Sequence, residues 1–308
     1  MLHTCRRAAA CVAVIALTAL PSFAGQRRVD VANFSFADST LDANPGDQIV
    51  WVWISGSHTV TSGAGTPDGE FNSGFQGLGK AFAWKAPVTA TGTQRYYCIP
   101  HLPGMTGRII FSASPVSVSD FRISEVRFST DHDSDYVEIA NLGSAAGDLG
   151  RYRISVTSAT QLTLTPNNIP VPAGGRVVIW LGRSGAGSST EQFFPGTSLP
   201  RDAGSAALYL ANTVSADTTL ARDDLMVDFV QWGGGAQLNE ATAVTAAFWT
   251  TGLFADPPAD GHTLEFCGTA SERGPSFWRG SPMATPGLAN CVTPTRASSW
   301  GRIKAIYR

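Results

Sequence analysis

The sequence predicts an all-β protein built from two successive β-sandwich or barrel domains. Three observations carry that expectation. Short runs of β-branched and aromatic residues recur along the chain, each bounded by Gly, Pro or Asn. The N-terminal region contains no segment with helical periodicity. A small, polar stretch broken by proline, Ser112-Ala113-Ser114-Pro115-Val116-Ser117-Val118-Ser119, separates two such patterns. A length of 308 residues suits two domains. With 32 Gly, 18 Pro, 43% hydrophobic and 15% charged residues, the chain is turn-rich and globular rather than disordered.

The elements follow in order. Residues 1–24 read as an export signal. Arg6 and Arg7 form a charged start, Ala8 to Leu20 an apolar run, and Ser22 and Ala24 the small residues before a cut. The run is too short to span a bilayer comfortably, and no other stretch approaches it, so no membrane span is expected after its removal. The mature chain is expected outside the cytoplasm, in the periplasm or at the cell exterior. Net charge is −2, and losing Arg6 and Arg7 leaves 20 basic against 24 acidic residues, or −4. That balance gives no general attraction to nucleic acid or anionic membrane.

Residues 25–112 form the expected first domain. Val29 to Phe36 alternates as a half-buried strand. Asn44-Pro45-Gly46-Asp47 is a turn, and Ile49-Val50-Trp51-Val52-Trp53 a strand. A Gly-rich connection from Gly56 to Gly79 leads to Ala81-Phe82-Ala83-Trp84. Arg95-Tyr96-Tyr97-Cys98 and Gly107-Arg108-Ile109-Ile110-Phe111 close the pattern. After the linker at 113–119, residues 120–291 form the expected second domain, with strands at Phe121–Val126, Tyr136–Ile139, Tyr152–Val156, Val177–Leu181, Ala207–Leu210 and Val227–Val230. Tyr136, Ile139, Trp180 and Phe229 are expected in its core. Residues 292–308 form a tail whose last part, Ser298 to Arg308, is basic and aromatic.

The chemistry concentrates in Cys98-Ile99-Pro100-His101-Leu102-Pro103-Gly104-Met105. This stretch sets a thiolate, an imidazole and a thioether on one loop between two strands. A second imidazole comes from His58, at the end of a different strand. Two His and one Cys with a weak axial Met is the donor set of electron-transfer copper, because thiolate and thioether suit Cu(I) while imidazole also suits Cu(II). Taken singly, each residue has a blander reading as a core filler or surface group. Their joint order on this strand pattern singles them out as ligands of one copper ion. Multicopper oxidase and nitrite reductase chemistry is excluded for this chain alone, since only five histidines exist and none are paired as His-x-His. Covalent haem is excluded by the absence of Cys-x-x-Cys-His.

Cysteine use agrees. Cys5 and Cys11 leave with the leader, and Cys98, Cys267 and Cys291 remain. In an oxidising compartment an odd number leaves one pair and one cysteine with another role. Cys267 and Cys291 are expected to form the disulfide, contributing about 3 kcal/mol. Asp131-His132-Asp133-Ser134-Asp135 resembles a short calcium loop but lacks the glycine and the twelfth-position Glu, and a solvated acidic turn is favoured. His262 opens a strand and needs no ligand role.

Residues Val29 to Phe111 resemble the cupredoxins, the plastocyanin and pseudoazurin group. The resemblance rests on Pro45-Gly46-Asp47 before a Trp-bearing strand, His58 after it, Tyr97-Cys98, and Pro100-His101 leading to Gly104-Met105. It implies a Greek-key β-sandwich with copper held by His58, Cys98, His101 and Met105. It also implies that His101, flanked by Ile99, Leu102 and Pro103, faces a redox protein partner. Many relatives carry Asn after the first His where this chain has Thr59, which bears on the redox potential.

Val118 to Cys291 resembles the lamin tail domain, through Asp135–Gly143, Ile169–Gly175, Val227–Gly233, Asp260–Glu265 and Ala284-Thr285-Pro286-Gly287-Leu288-Ala289-Asn290. That resemblance implies an immunoglobulin-like sandwich serving as a binding or anchoring module whose own ligand is unknown. The resulting expectation is an exported single-electron carrier that transforms no substrate. The alternative is a non-redox copper-binding or adhesive module on the cell surface.

Overall fold

A computed structural model describes residues 25–112, 116–117, 119–150, 152–156, 161–163, 169–210, 222–270 and 272–291. The expected leader, the tail and part of the linker lie outside the described residues. Among the described residues no helix is long and apolar enough to cross a membrane. The fold is all-β, in two sandwiches.

The first sandwich comprises β1 (Gln26–Ala32), β2 (Ser35–Phe36), β3 (Thr40–Ala43), β4 (Gln48–Trp53), β5 (Ser57–His58), β6 (Thr61–Gly63), β7 (Pro67–Asn72), β8 (Gln76–Gly77), β9 (Ala81–Lys85), β10 (Gly92–Tyr97) and β11 (Thr106–Phe111). One sheet runs β2-β1-β4-β9 and the other β3-β11-β10-β6-β7, so the chain crosses between sheets as a Greek key does. β1 pairs parallel to β4, and β3 parallel to β11. Trp51 anchors the core between the sheets, with Phe71 at 5.2 Å and Tyr96 at 5.3 Å between ring centroids. The Tyr96 ring lies across its cross-strand partner Gly107, where a β-carbon would stand 2.2 Å from Cζ, so only glycine admits the ring.

Two local readings are corrected here. The expected strand Val29 to Phe36 is broken: the chain turns at Asn33-Phe34, with Phe34 left-handed (φ 56°), and β2 folds back on β1. The Gly-rich connection from Gly56 to Gly79 holds four strands. β7 is exposed at five of its six residues, so it carries no apolar alternation for a pattern to reveal.

The second sandwich comprises β12 (Phe121–Arg127), β13 (Tyr136–Asn141), β14 (Gly147–Asp148), β15 (Arg153–Val156), β16 (Gln161–Thr163), β17 (Pro170–Val171), β18 (Arg176–Leu181), β19 (Glu191–Phe194), β20 (Gly204–Tyr209), β21 (Met226–Trp232), α1 (Glu240–Thr245), β22 (Thr263–Phe266) and β23 (Trp278–Ser281). A six-stranded sheet, β19-β18-β13-β12-β22-β23, packs on a four-stranded one, β16-β15-β20-β21, as an immunoglobulin-like sandwich. Ile139 and Phe229 enter the core between them, as expected. Tyr136 and Trp180 do not; they form a separate cluster with Phe193, their rings 5.0 Å apart, and Arg183 stacks 3.5 Å above Trp180.

Val50 and Val52, on the outer face of β4, are buried in the core of the second sandwich. The strand therefore buries both faces, which explains its unbroken apolar run. Gln48 Nε2 donates to the Asp224 carbonyl at 2.7 Å, and Arg222 donates to the Ala81 carbonyl at 3.1 Å across the same seam. The side chain of Asn44 clasps both backbone groups of Val116, donating to its carbonyl (3.0 Å) and accepting from its N–H (2.6 Å).

Candidate metal centre

Two segments meet at one end of the first sandwich. β4 and the turn after it deliver His58 on β5, and Trp53 Nε1 donates to the His58 carbonyl at 3.1 Å. β10 delivers Cys98, and the chain then makes a single 3₁₀ turn, Ile99–His101, opened by Pro100. Backbone bonds close the loop: His101 N–H to the Cys98 carbonyl (3.1 Å), Met105 N–H to the His101 carbonyl (2.9 Å), and Cys98 N–H to the Met105 carbonyl (3.0 Å). Cysteine, histidine and methionine thus sit on a rigid hairpin end rather than on a loose loop.

His58, Cys98 and His101 converge. His58 Nδ1 and His101 Nδ1 are 3.1 Å apart, Cys98 Sγ is 3.2 Å from His101 Nδ1, and 3.8 Å from His58 Nδ1. The point equidistant from these three atoms, the circumcentre of their triangle, lies about 2.0 Å from each, the length of a first-row metal–imidazole bond; a metal–thiolate bond of about 2.3 Å sets an ion slightly out of that plane, away from Cys98. His58 and Cys98 are buried and His101 half-buried. Met105 is buried in the same core cluster as Cys98. Burial holds the His58 imidazolium below its ordinary pKa, and His101 reinforces this, which favours the neutral ring that a metal requires. The donor set and its spacing fit a soft or borderline first-row metal ion.

The surroundings fix the donors. Thr59 N–H donates to Cys98 Sγ at 3.3 Å, and Thr59 Oγ1 accepts from Ile99 N–H at 2.8 Å. Thr59, where many relatives of the resembled family carry Asn, thus ties the two ligand segments together through backbone and hydroxyl at once. Gly56 is left-handed (φ 72°), and a β-carbon there would lie 2.4 Å from His58 Nε2 and 2.3 Å from Asn33 Oδ1. Only glycine leaves room for that ring and amide to approach.

No family model matches the chain, and no curated protein matches it. Solved structures do. A purple cupredoxin from Nitrosopumilus maritimus is 21% identical, over 28% of this chain and 99% of its own length, with a TM-score of 0.26. The reduced Cu(I) form, at pH 4, of a proline-to-glycine mutant of amicyanin is 24% identical, over 29% of this chain and 83% of its own, with a TM-score of 0.25. A second proline-to-glycine mutant of amicyanin, in its oxidised form, is 21% identical over 32% of this chain, 88% of its own, at a TM-score of 0.24. The reading of the site rests on its own geometry.

Sequence reasoning missed Phe34. Its ring, exposed on the surface, meets the His101 ring edge-on at 4.8 Å and the His58 ring at 6.1 Å. The signal was available in Asn33-Phe34, a turn pair interrupting an alternating strand, but alternation concealed it. The remaining candidates settle elsewhere. Cys267 and Cys291 are bonded, with Cα atoms 5.6 Å apart. Asp135 of the acidic turn is buried and accepts from Ser129 N–H (2.7 Å), Ser129 Oγ (2.9 Å), His132 Nδ1 (2.8 Å) and Leu199 N–H (3.0 Å). Its carboxylate braces a loop. His262 is half-buried just before β22.

Proposed function

We propose that the chain is an exported type 1 copper protein that carries single electrons. The triangle of His58 Nδ1, Cys98 Sγ and His101 Nδ1, sized for one ion at about 2.0 Å, carries the reading. Met105 would supply the weak axial thioether. Copper held there would shuttle between Cu(I) and Cu(II) without large rearrangement. The backbone-closed loop, the Thr59 tie and the buried His58 hold the donors in one geometry through both states. Half-buried His101, under exposed Phe34 and beside exposed Ile99 and Leu102, is the exit toward a redox protein partner. The second sandwich, lamin-tail-like in its motifs, is an anchoring or partner-binding module, and the domain boundary falls at 113–119. A core cluster drawn wholly from Val29 to Phe111 supports that division. Export rests on the charged and apolar start of the chain, with the periplasm or cell exterior as destination.

The test is copper loading of the purified chain. An intense thiolate-to-copper charge-transfer band, bleached reversibly by a mild reductant, is expected. Cys98→Ala should abolish the band and keep the far-ultraviolet circular dichroism of a folded sandwich. A loaded wild-type protein without the band overturns the proposal.

A further inference from the structure

A second site lies on the outer face of the sheet that carries Cys98. β10 and β11 alternate, so Tyr96, Cys98 and Ile109 face the core while Arg95, Tyr97, Thr106 and Arg108 face outward. There they line a cavity of about 440 Å³, bordered by Thr40 and by the Gly65 turn. Its rim also includes Leu102 and Pro103 of the metal loop.

The lining is chemically one-sided. Arg95 and Arg108 stand directly opposite one another across the strand pair. Like charges in that position destabilise a sheet. Neither arginine has an acidic partner among the described residues, and no acidic residue lines the cavity. Among the described residues, the one side-chain hydrogen bond of Arg108 goes to Thr40 Oγ1, at 3.0 Å. Tyr97 is buried to 2% exposure yet lines the same cavity, and its hydroxyl has no protein hydrogen-bond partner among the described residues. Two arginines, a tyrosine and two threonines thus line one concavity of small-molecule size.

We propose that this cavity binds a small oxyanion, a phosphate or carboxylate group, between Arg95 and Arg108. The anion relieves the repulsion of the cross-strand pair and takes the Tyr97 hydroxyl as a further donor. The site is independent of the copper reading, because it uses none of the four proposed ligands.

Titration calorimetry of the full chain with inorganic phosphate and with citrate, at ionic strength balanced by sodium chloride, tests it. Saturable one-to-one binding of at least one anion is expected. Arg95→Gln and Arg108→Gln should each weaken it roughly tenfold or more, and Tyr97→Phe by a smaller factor. Without anion, Arg95→Gln should melt no lower than wild type, since it removes repulsion and breaks no ion pair. Absence of saturable binding for both anions, or binding unchanged in both arginine variants, overturns the proposal. Either result is read without copper and leaves the metal reading untouched.

Discussion

In the first sandwich, His58 Nδ1, Cys98 Sγ and His101 Nδ1 point toward one another. In the second, Glu138, Glu125 and Glu265 stand side by side across β13, β12 and β22, all buried, and face donors instead. Thr285 N–H (3.1 Å) and Oγ1 (3.0 Å) donate to Glu125. Gly287 N–H donates to Glu138 at 2.6 Å, and Cys291 N–H to Glu265 at 3.1 Å. Asn290 Nδ2 adds a bond to the Ser124 carbonyl. The segment Ala284-Thr285-Pro286-Gly287 to Cys291 is therefore a strap, laid over the sheet by three carboxylates and locked by the Cys267–Cys291 disulfide. Both regions collect metal-binding residue types, and Glu265, Cys267 and Cys291 even lie within mutual reach of one ion. The difference is satisfaction. Donors that converge on each other ask for a cation; acceptors that each meet an N–H are already structural.

The comparison can be broken in four ways, in falling order of effect. Arg122, fully buried, holds Asp228 at 3.0 Å and the Ala270 carbonyl, while Asp120 lies 3.4 Å away. Arg122→Met strips Asp120 of its cation and leaves Asp228 to Arg273 (2.9 Å) and the Ile123 N–H (2.9 Å), and should cost the second sandwich about 3–5 kcal/mol in urea unfolding. The copper band of the first sandwich should survive at low denaturant.

Replacing both Cys267 and Cys291 by serine should lower stability by about 2–4 kcal/mol. Amide exchange at Gly287 and Cys291 should accelerate while the amides around Cys98 keep their protection. Equal acceleration at both places would mean that the two regions do not respond separately.

The pH response sharpens the contrast. Burial pushes the Glu138 carboxyl up to about 7, outweighing its bonds from Ser124 and Gly287, and pushes Asp228 up to about 6. Groups raised on folding favour the folded state most when protonated. Their contribution is present below the unfolded carboxylate pKa and fades as pH rises through the range of about 6 to 7. The second sandwich should accordingly be less stable at about pH 8 than at about pH 5, and Glu138→Gln should flatten the slope. Denaturation midpoints at the two pH values decide it.

The smallest effect concerns the tie between the ligand segments. Thr59→Val removes the acceptor for Ile99 N–H and should cost about 1 kcal/mol. Copper should stay bound with a modestly shifted band, since the Thr59 N–H to Cys98 Sγ bond remains. Loss of copper would show that the hydroxyl, not the donor triangle, holds the site together.

The amino-acid order alone determined the all-β class, because period-two runs between turn residues allow little else. It also singled out His58, Cys98, His101 and Met105, since those donor types in that order suit one metal chemistry. It paired Cys267 with Cys291 by leaving Cys98 another role. What it left to the tertiary structure were contacts between segments distant along the chain. Phe34 reaches His101 only because a two-residue turn reverses β1. Arg95 and Arg108 form a pair only once β10 and β11 fix their register. The outer face of β4 is buried by a second sandwich that begins only after the whole first one is complete. Periodicity reports which face of a strand is apolar, whereas packing decides what that face meets.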